Sequence, residues 1–220
     1  MDEKLPNKES KIMTIGNEGL NQEIKQIGFV NANLLEFTEH GMTEKEFSDY
    51  QVDPQIHAVV KGVCGTFDFR KVAVASLYLQ NPEVEFVATN EDHTFITGMS
   101  MRRMPDVGAS LRPIEASCGR KAFTVGKPMP YALEIILKDH FAADKDKWKD
   151  PAFLDQFVYV GDNMETDIGF AKSAGIHSCL VMTGMTKLTD EIPDDLWPDV
   201  FMNAFSEHPF HEVKHNVCVD

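Results

Sequence analysis

Short apolar runs alternate along the chain with amphipathic stretches, and the spacing predicts strands alternating with helices. Residues 12–15 predict a strand closed by Gly16, and residues 20–27 predict a helix stopped by Gly28. The intervening Gly16-Asn17-Glu18-Gly19 makes this a strand-turn-helix unit. A second unit follows, with a strand at 58–63, a helix at 70–79 and a strand at 85–89, while the polar residues 31–55 predict no regular element. From 91 to 105 the periodicity lapses around Gly98, Arg102 and Arg103, the expected joint between two modules. Beyond it the pattern predicts a helix at 107–117, a strand at 121–125, a helix at 131–140 and a charged loop at 144–150. The last predicted elements are a strand at 157–160, a helix at 166–174 stopped by Gly175, and a strand at 178–182. Continuous Val/Ile/Phe runs, each followed by a helix, imply a parallel α/β sheet covered on both faces.

The composition narrows the function classes. With 220 residues, 43% of them hydrophobic, the chain can bury the core of one large or two small domains. No run approaches the roughly 18 apolar residues of a membrane span, and Met1-Asp2-Glu3-Lys4 does not open a signal peptide, so a cytoplasmic location is expected. Cys64, Cys118, Cys179 and Cys218 lie far apart, which predicts free thiols rather than a disulfide framework or a zinc knuckle. The formal charge of -14 excludes nucleic acid and anionic membrane as partners unless a basic patch is segregated. One segment runs against that trend: Arg102, Arg103, Arg112, Arg120, Lys121 and Lys127 face only Asp106 and Glu115 between residues 101 and 128. It predicts either an anion-attracting region or a solvated basic surface.

Ligands of parallel α/β sheets sit beyond the carboxyl ends of the strands. There the chain reads Val160-Gly161-Asp162-Asn163-Met164-Glu165-Thr166-Asp167. Asp162, at the strand tip beside a glycine, is placed as an oxygen ligand for Mg2+, which takes few carboxylates and keeps several waters. Thr166 is the predicted N-cap of the following helix, with Asp167 in its first turn, where a negative charge is favourable in any case. An EF-hand fails because Met164 stands where a third ligand is needed. Upstream, Gly126-Lys127-Pro128 places a compact cation at another strand end, suited to a phosphoryl oxygen, with Pro128 fitting the first turn of the next helix. The spacing is not that of a P-loop.

Taken in order, Val125-Gly126-Lys127-Pro128, Val160-Gly161-Asp162 through Asp167-Ile168, Val181-Met182-Thr183-Gly184-Met185-Thr186 and Pro198-Asp199 resemble the haloacid dehalogenase (HAD) superfamily, nearest its 4-nitrophenylphosphatase and phosphoglycolate phosphatase branch. Upstream, Ile15-Gly16-Asn17, Ala58-Val59-Val60-Lys61-Gly62 and Ala88-Thr89-Asn90-Glu91-Asp92 resemble that branch's inserted α/β cap. The resemblance implies a doubly wound, Rossmann-like HAD core, here incomplete at its amino-terminal side, with the core at 107–220 and the cap at 1–106. It implies Mg2+-dependent hydrolysis of a small phosphorylated metabolite through an aspartyl-phosphate. Lys127 would steady the phosphate, Asp162 would hold the metal and Asp167 would brace the site. Lys127, Asn163 and the cap residues Asn90 and Asp92 would meet the substrate, with Arg103 near the leaving group.

The chain departs from that pattern at the nucleophile, which the family places in an Asp-x-Asp motif after an apolar strand. The sole Asp-x-Asp here is Asp144-Lys145-Asp146, inside a charged loop where no strand aims it. The expectation is therefore a chain that begins within the cap, is inactive alone, and leaves strand 157–160 with an unpaired edge. The alternative is a catalytically silent binding or regulatory module that uses its cap either to self-associate, as a homodimer, or to dock on an active relative. The terminal His208, His211, His215 and Cys218 invite a zinc reading, but Pro209 and the lack of a second ligand pair predict a tail instead.

Overall fold

The computed structural model describes residues 10–33, 41–98, 102–141, 149–187 and 189–207. Asp144, Asp146 and the histidine tail lie outside them. The chain divides into two compact units, Met1–Gly126 and Lys127–Asp220.

The first unit is built on five parallel strands: β1 (Lys11–Ile15), β2 (Val30–Asn33), β3 (Ile56–Lys61), β4 (Glu85–Ala88) and β7 (Phe123–Thr124), in the order β2-β1-β3-β4-β7. The predicted strand-turn-helix start is present: Asn17 caps α1 (Glu18–Gln26) by accepting from the Leu20 amide. Asp68 caps α3 (Phe69–Leu79) through the Lys71 amide at 2.9 Å. Helix α4 (Val107–Cys118) ends at Gly119, whose φ of 69° lies in the left-handed region that glycine adopts without strain. Met13, Ile15, Val59, Val74, Leu79, Phe86, Leu111 and Ile114 form a closed core between the sheet and helices α3 and α4.

Three elements depart from the sequence pattern. Residues 31–55, expected to be irregular, hold β2 and α2 (Glu44–Asp49). The first escapes the apolar template because Asn31 hydrogen-bonds inward to Thr14 and Asn21. The second buries no side chain and rests on a capping box between Thr43 and Glu46. The expected joint at 91–105 contains an antiparallel hairpin, β5 (Thr94–Thr97) with β6 (Arg102–Pro105). Phe123 and Thr124 pair with Val87 and Ala88, which brings α4 and β7 into the first compact unit.

The second unit has a smaller parallel sheet, β10-β9-β8, from β8 (Val158–Gly161), β9 (His177–Val181) and β10 (Val200–Met202). Helices α5 (Tyr131–His140), α6 (Pro151–Leu154) and α7 (Gly169–Ala174) accompany it. Its buried centre is Phe170, Ala171 and Ile176, joined by partly buried Tyr159, Phe157 and Leu133. Phe153 stacks edge-on against both Phe141 and Phe157, each pair with centroids 5.0 Å apart. Among the described residues β8 pairs only with β9, and Val158 is 46% exposed. Pro128 lies ahead of α5 rather than in its first turn, and its carbonyl accepts from Ser173 Oγ at 2.6 Å.

Candidate active site

At the carboxyl end of β8 a network of hydrogen bonds sets two carboxylates in different roles. Between strand and helix lies one π-helical turn, Met164–Ile168, and the Asn163 carbonyl accepts from both Asp167 N at 2.8 Å and Ile168 N at 3.3 Å. Wide turns of this kind recur at functional sites. Asn163, not Thr166, is the N-cap: its Oδ1 accepts from the Glu165 and Thr166 amides. Asp167 is buried, and its Oδ2 accepts the amides of Asp162 and Asn163, each at 3.0 Å. Its Oδ1 receives the Lys127 ammonium at 2.6 Å. A carboxylate with both oxygens engaged is a brace, and a charge-assisted bond to a half-exposed lysine fixes that cation in place.

Asp162 is held differently. Its Oδ2 accepts the Met185 amide at 2.7 Å and its carbonyl accepts the Thr186 amide at 2.9 Å. Thr186 Oγ1 in turn accepts from Met164 N at 3.0 Å. No hydrogen bond reaches Asp162 Oδ1 from the described residues, which leaves that oxygen available to a ligand. Two glycines make the arrangement possible. A Cβ on Gly161 would stand 2.3 Å from Asp167 Cβ, and one on Gly184 would stand 1.5 Å from Asp162 Oδ2. The Thr183-Gly184-Met185-Thr186 loop is thus part of the site through its backbone, a role that side-chain chemistry does not announce.

The predicted residues fall into two groups. Lys127, Asp162, Asn163 and Asp167 meet in the second unit. Asn90, Asp92 and Arg103 belong to the first unit, where Asn90 Nδ2 donates to Asp92 Oδ2 at 3.1 Å and Thr89 Oγ1 donates to Asn90 Oδ1 at 2.9 Å. The basic segment is largely spent internally. Arg112 binds Glu91 and Glu115, Lys121 binds Glu115, and Arg120 donates to the carbonyls of Leu79, Asn81 and Val84. Further along, Asp199 ties β9 to the loop before β10, accepting from Ser178 N and Ser178 Oγ. Burial pushes the Asp199 carboxyl up, but the Ser178 bonds and Lys172 outweigh it and hold the group below the usual carboxylate range.

A lysine locked on a buried carboxylate, beside a second carboxylate with a spare oxygen at a parallel strand tip, is an arrangement with the charge and geometry to hold a small anion and a hydrated cation. A family model for HAD-hydrolase-like proteins matches residues 124–207. Chronophin from Bos taurus is 30% identical over 187 residues, which is 84% of this chain and 55% of chronophin. The 4-nitrophenylphosphatase of Schizosaccharomyces pombe is 28% identical over 208 residues, 93% of this chain and 65% of that enzyme. Among solved structures, a thermostable NPPase from Geobacillus stearothermophilus in single-mutant form matches with a TM-score of 0.66 at 27% identity, covering 93% of this chain and 68% of that one. The family model, the relatives and the solved structure together support membership of the HAD superfamily, in its 4-nitrophenylphosphatase and phosphoglycolate phosphatase-like branch. It spans little more than half the length of chronophin.

Proposed function

We propose that the complete form of this protein hydrolyses small phosphomonoesters, of the 4-nitrophenyl phosphate or phosphoglycolate type, with Mg2+ held at Asp162. The observation that carries this reading is the pairing of Lys127 with Asp167 at 2.6 Å beside Asp162, whose Oδ1 accepts no protein hydrogen bond from the described residues. One carboxylate oxygen, with no group of three or more His, Cys, Asp or Glu around it among the described residues, fits an ion that keeps most of its water, as Mg2+ does, and does not fit zinc. When bound, the ion offsets charge on the phosphoryl oxygens. Lys127 steadies the phosphoryl group and Asp167 keeps Lys127 aimed. A carboxylate attacks phosphorus, the ester P–O bond breaks, and the alcohol leaves with a proton from a second acid. Water then cleaves the aspartyl-phosphate.

The attacking carboxylate belongs, in this reading, on a strand laid against the open edge of β8, supplied by a further segment or by another chain. In this reading residues 1–106 serve as the cap, and Asn90 and Asp92 are its substrate-binding residues. No helix among the described residues is long and apolar enough to cross a membrane. The free thiols Cys64, Cys118 and Cys179 accord with a cytoplasmic setting. A second reading, a silent module that pairs with another copy through the first unit, is favoured by β6, which is exposed throughout and carries Met104 at 46% exposure.

The test is turnover of 4-nitrophenyl phosphate with Mg2+. The chain by itself is expected to show no rate above buffer and to bind Mg2+ more weakly than about 10 μM by calorimetry. Adding a segment with an apolar strand ending in Asp-x-Asp should create a rate that Asp162→Asn and Lys127→Ala each abolish. No rate on addition favours the silent module. A rate in the chain alone that vanishes with Asp144→Asn would move the nucleophile to that loop.

A further inference from the structure

A different face of the second unit, independent of the phosphatase reading, has the makings of an interface. Residues 189–206 contain Asp190, Glu191, Asp194, Asp195 and Asp199 and no lysine, arginine or histidine. Asp190 accepts the Lys187 amide, and Asp199 is tied to Ser178 and Lys172. Glu191, Asp194 and Asp195 are exposed and make no ion pair among the described residues. The same stretch exposes Trp197 at 56%, Val200 at 47%, Phe201 at 41% and Phe205 at 47%. Trp197 and Phe201 pack edge-to-face with centroids 5.5 Å apart, so they form a fixed aromatic pair rather than two loose side chains. Single exposed apolar residues are ordinary, but four within nine residues on and beside the outer strand of a sheet are not. β10 adds to this an open backbone edge, since among the described residues it pairs only with β9.

We propose that this acidic, aromatic face docks a basic, apolar-anchored segment of another polypeptide, whose apolar side chains cover Trp197 and Phe201 and whose Lys or Arg residues meet Glu191, Asp194 and Asp195. Charge decides the occupant. An anionic membrane or nucleic acid is repelled by the three carboxylates, and a second copy of a chain carrying a net charge of -14 brings more of the same sign. Tryptophan is among the residues that most often dominate the energy of an interface, and aromatic anchors ringed by charge give both affinity and orientation.

The experiment measures anisotropy of a labelled amphipathic Leu/Lys helix of about 15 residues titrated with the full chain, against a Lys/Gln peptide of equal charge. Binding is expected on the order of 10 μM for the Leu/Lys peptide and about tenfold weaker for the polar one. Trp197→Ser, and separately the triple change Glu191→Gln, Asp194→Asn, Asp195→Asn, should each weaken binding about tenfold. A control triple in the first unit, Glu23→Gln, Glu44→Gln, Glu83→Gln, should change it by less than about twofold. If Trp197→Ser loses its native circular dichroism, Phe205→Ser carries the same expectation. Equal weakening by the control triple, equal binding of the polar peptide, or a wild-type dimer that Trp197→Ser dissolves would each overturn the proposal.

Discussion

The two units spend their residues on opposite problems. The first closes a five-stranded sheet under two helices, and its core is dry enough that Met13, Val59, Val74, Leu111 and Ile114 have no measurable exposure. The second has three strands, a small buried centre and an open strand at β8. What orders the strand ends of the second unit is a set of charge-assisted bonds: Lys127 on Asp167, the amides of Asp162 and Asn163 on Asp167, Met185 on Asp162, and Ser178 on Asp199. Hydrophobic burial is non-directional and tolerates change of shape, whereas a carboxylate network fixes atoms but stabilises less. A unit organised in the second way gains most from an added strand.

The largest expected effect follows from that contrast. In the parallel register of Val158 with His177 and Val160 with Cys179, β8 pairs with β9 alone among the described residues. Supplying a strand segment, covalently or as a second polypeptide, should slow amide exchange at 158–160 about a thousandfold, while β3 and β4, already paired on both sides, stay within about threefold. Hydrogen exchange on the chain with and without the segment measures both. Strong protection of 158–160 in the chain alone would mean that the second unit is already complete, and the contrast would collapse.

The contrast also explains what the sequence discloses. Strands β1, β3 and β4 and helices α1, α3, α4 and α5 are legible because their side chains carry the burial pattern that forms them. So are Lys127, Asp162 and Asp167, because the chemistry of a strand tip demands those residue types. The capping box of Thr43 and Glu46 was present in the letters, but α2 buries nothing and gives no periodicity. The hairpin β5–β6 is hidden for the same reason, every residue of β6 being exposed. The seat of Asp162 is illegible for another cause: it is made by the Met185 amide and by the space left at Gly184, and backbone geometry leaves no signature beyond a glycine. Likewise, β7 is a two-residue strand whose partner is chosen by tertiary packing.

The next effect sharpens the comparison from the side of the first unit, whose dry interior carries a cost of its own. Lys61 is fully buried, with its ammonium on the Gly62 carbonyl and over the Phe67 ring at 5.2 Å. Burial pulls this lysine from 10.5 down to about 8, with Cys64 and Asp106 opposing. Because the folded value is depressed, the unfolded chain holds more protons between about pH 8 and 10.5, and stability must rise with pH across that window. The full difference corresponds to about 3 kcal/mol, present as a penalty below pH 8. Urea midpoints followed on first-unit amides should climb from pH 7.5 to 9.5, and Lys61→Met should flatten the climb. Measurements stop there because burial pushes Tyr50 up to about 12, and above pH 10 that group acts in the opposite sense. A flat profile for the parent chain would mean that the interior around Lys61 is wetter than its burial implies.

The smallest effect is a pair of identical substitutions that the two units should receive differently. At Gly65, in the first unit, an added methyl meets nothing within 4 Å, and the backbone is outside the left-handed region, so Gly65→Ala should stay within about 0.5 kcal/mol of the parent. At Gly184 the same methyl would fall 1.5 Å from Asp162 Oδ2, also without a left-handed backbone, so the penalty there is steric alone. Either the Asp162 carboxylate gives up the Met185 amide or the 183–186 loop shifts outward, at about 1–3 kcal/mol. The loss should be confined to the second unit, visible as faster exchange at Met185 and Thr186 with first-unit amides unchanged, because the hydrogen bonds of Asp162 among the described residues are all made to second-unit residues. It should also weaken Mg2+ binding further, since the carboxylate proposed to hold the ion is the group displaced. Should Gly184→Ala prove as mild as Gly65→Ala, Asp162 is not fixed by the backbone pocket around it, and the second unit would have to owe its order to packing after all.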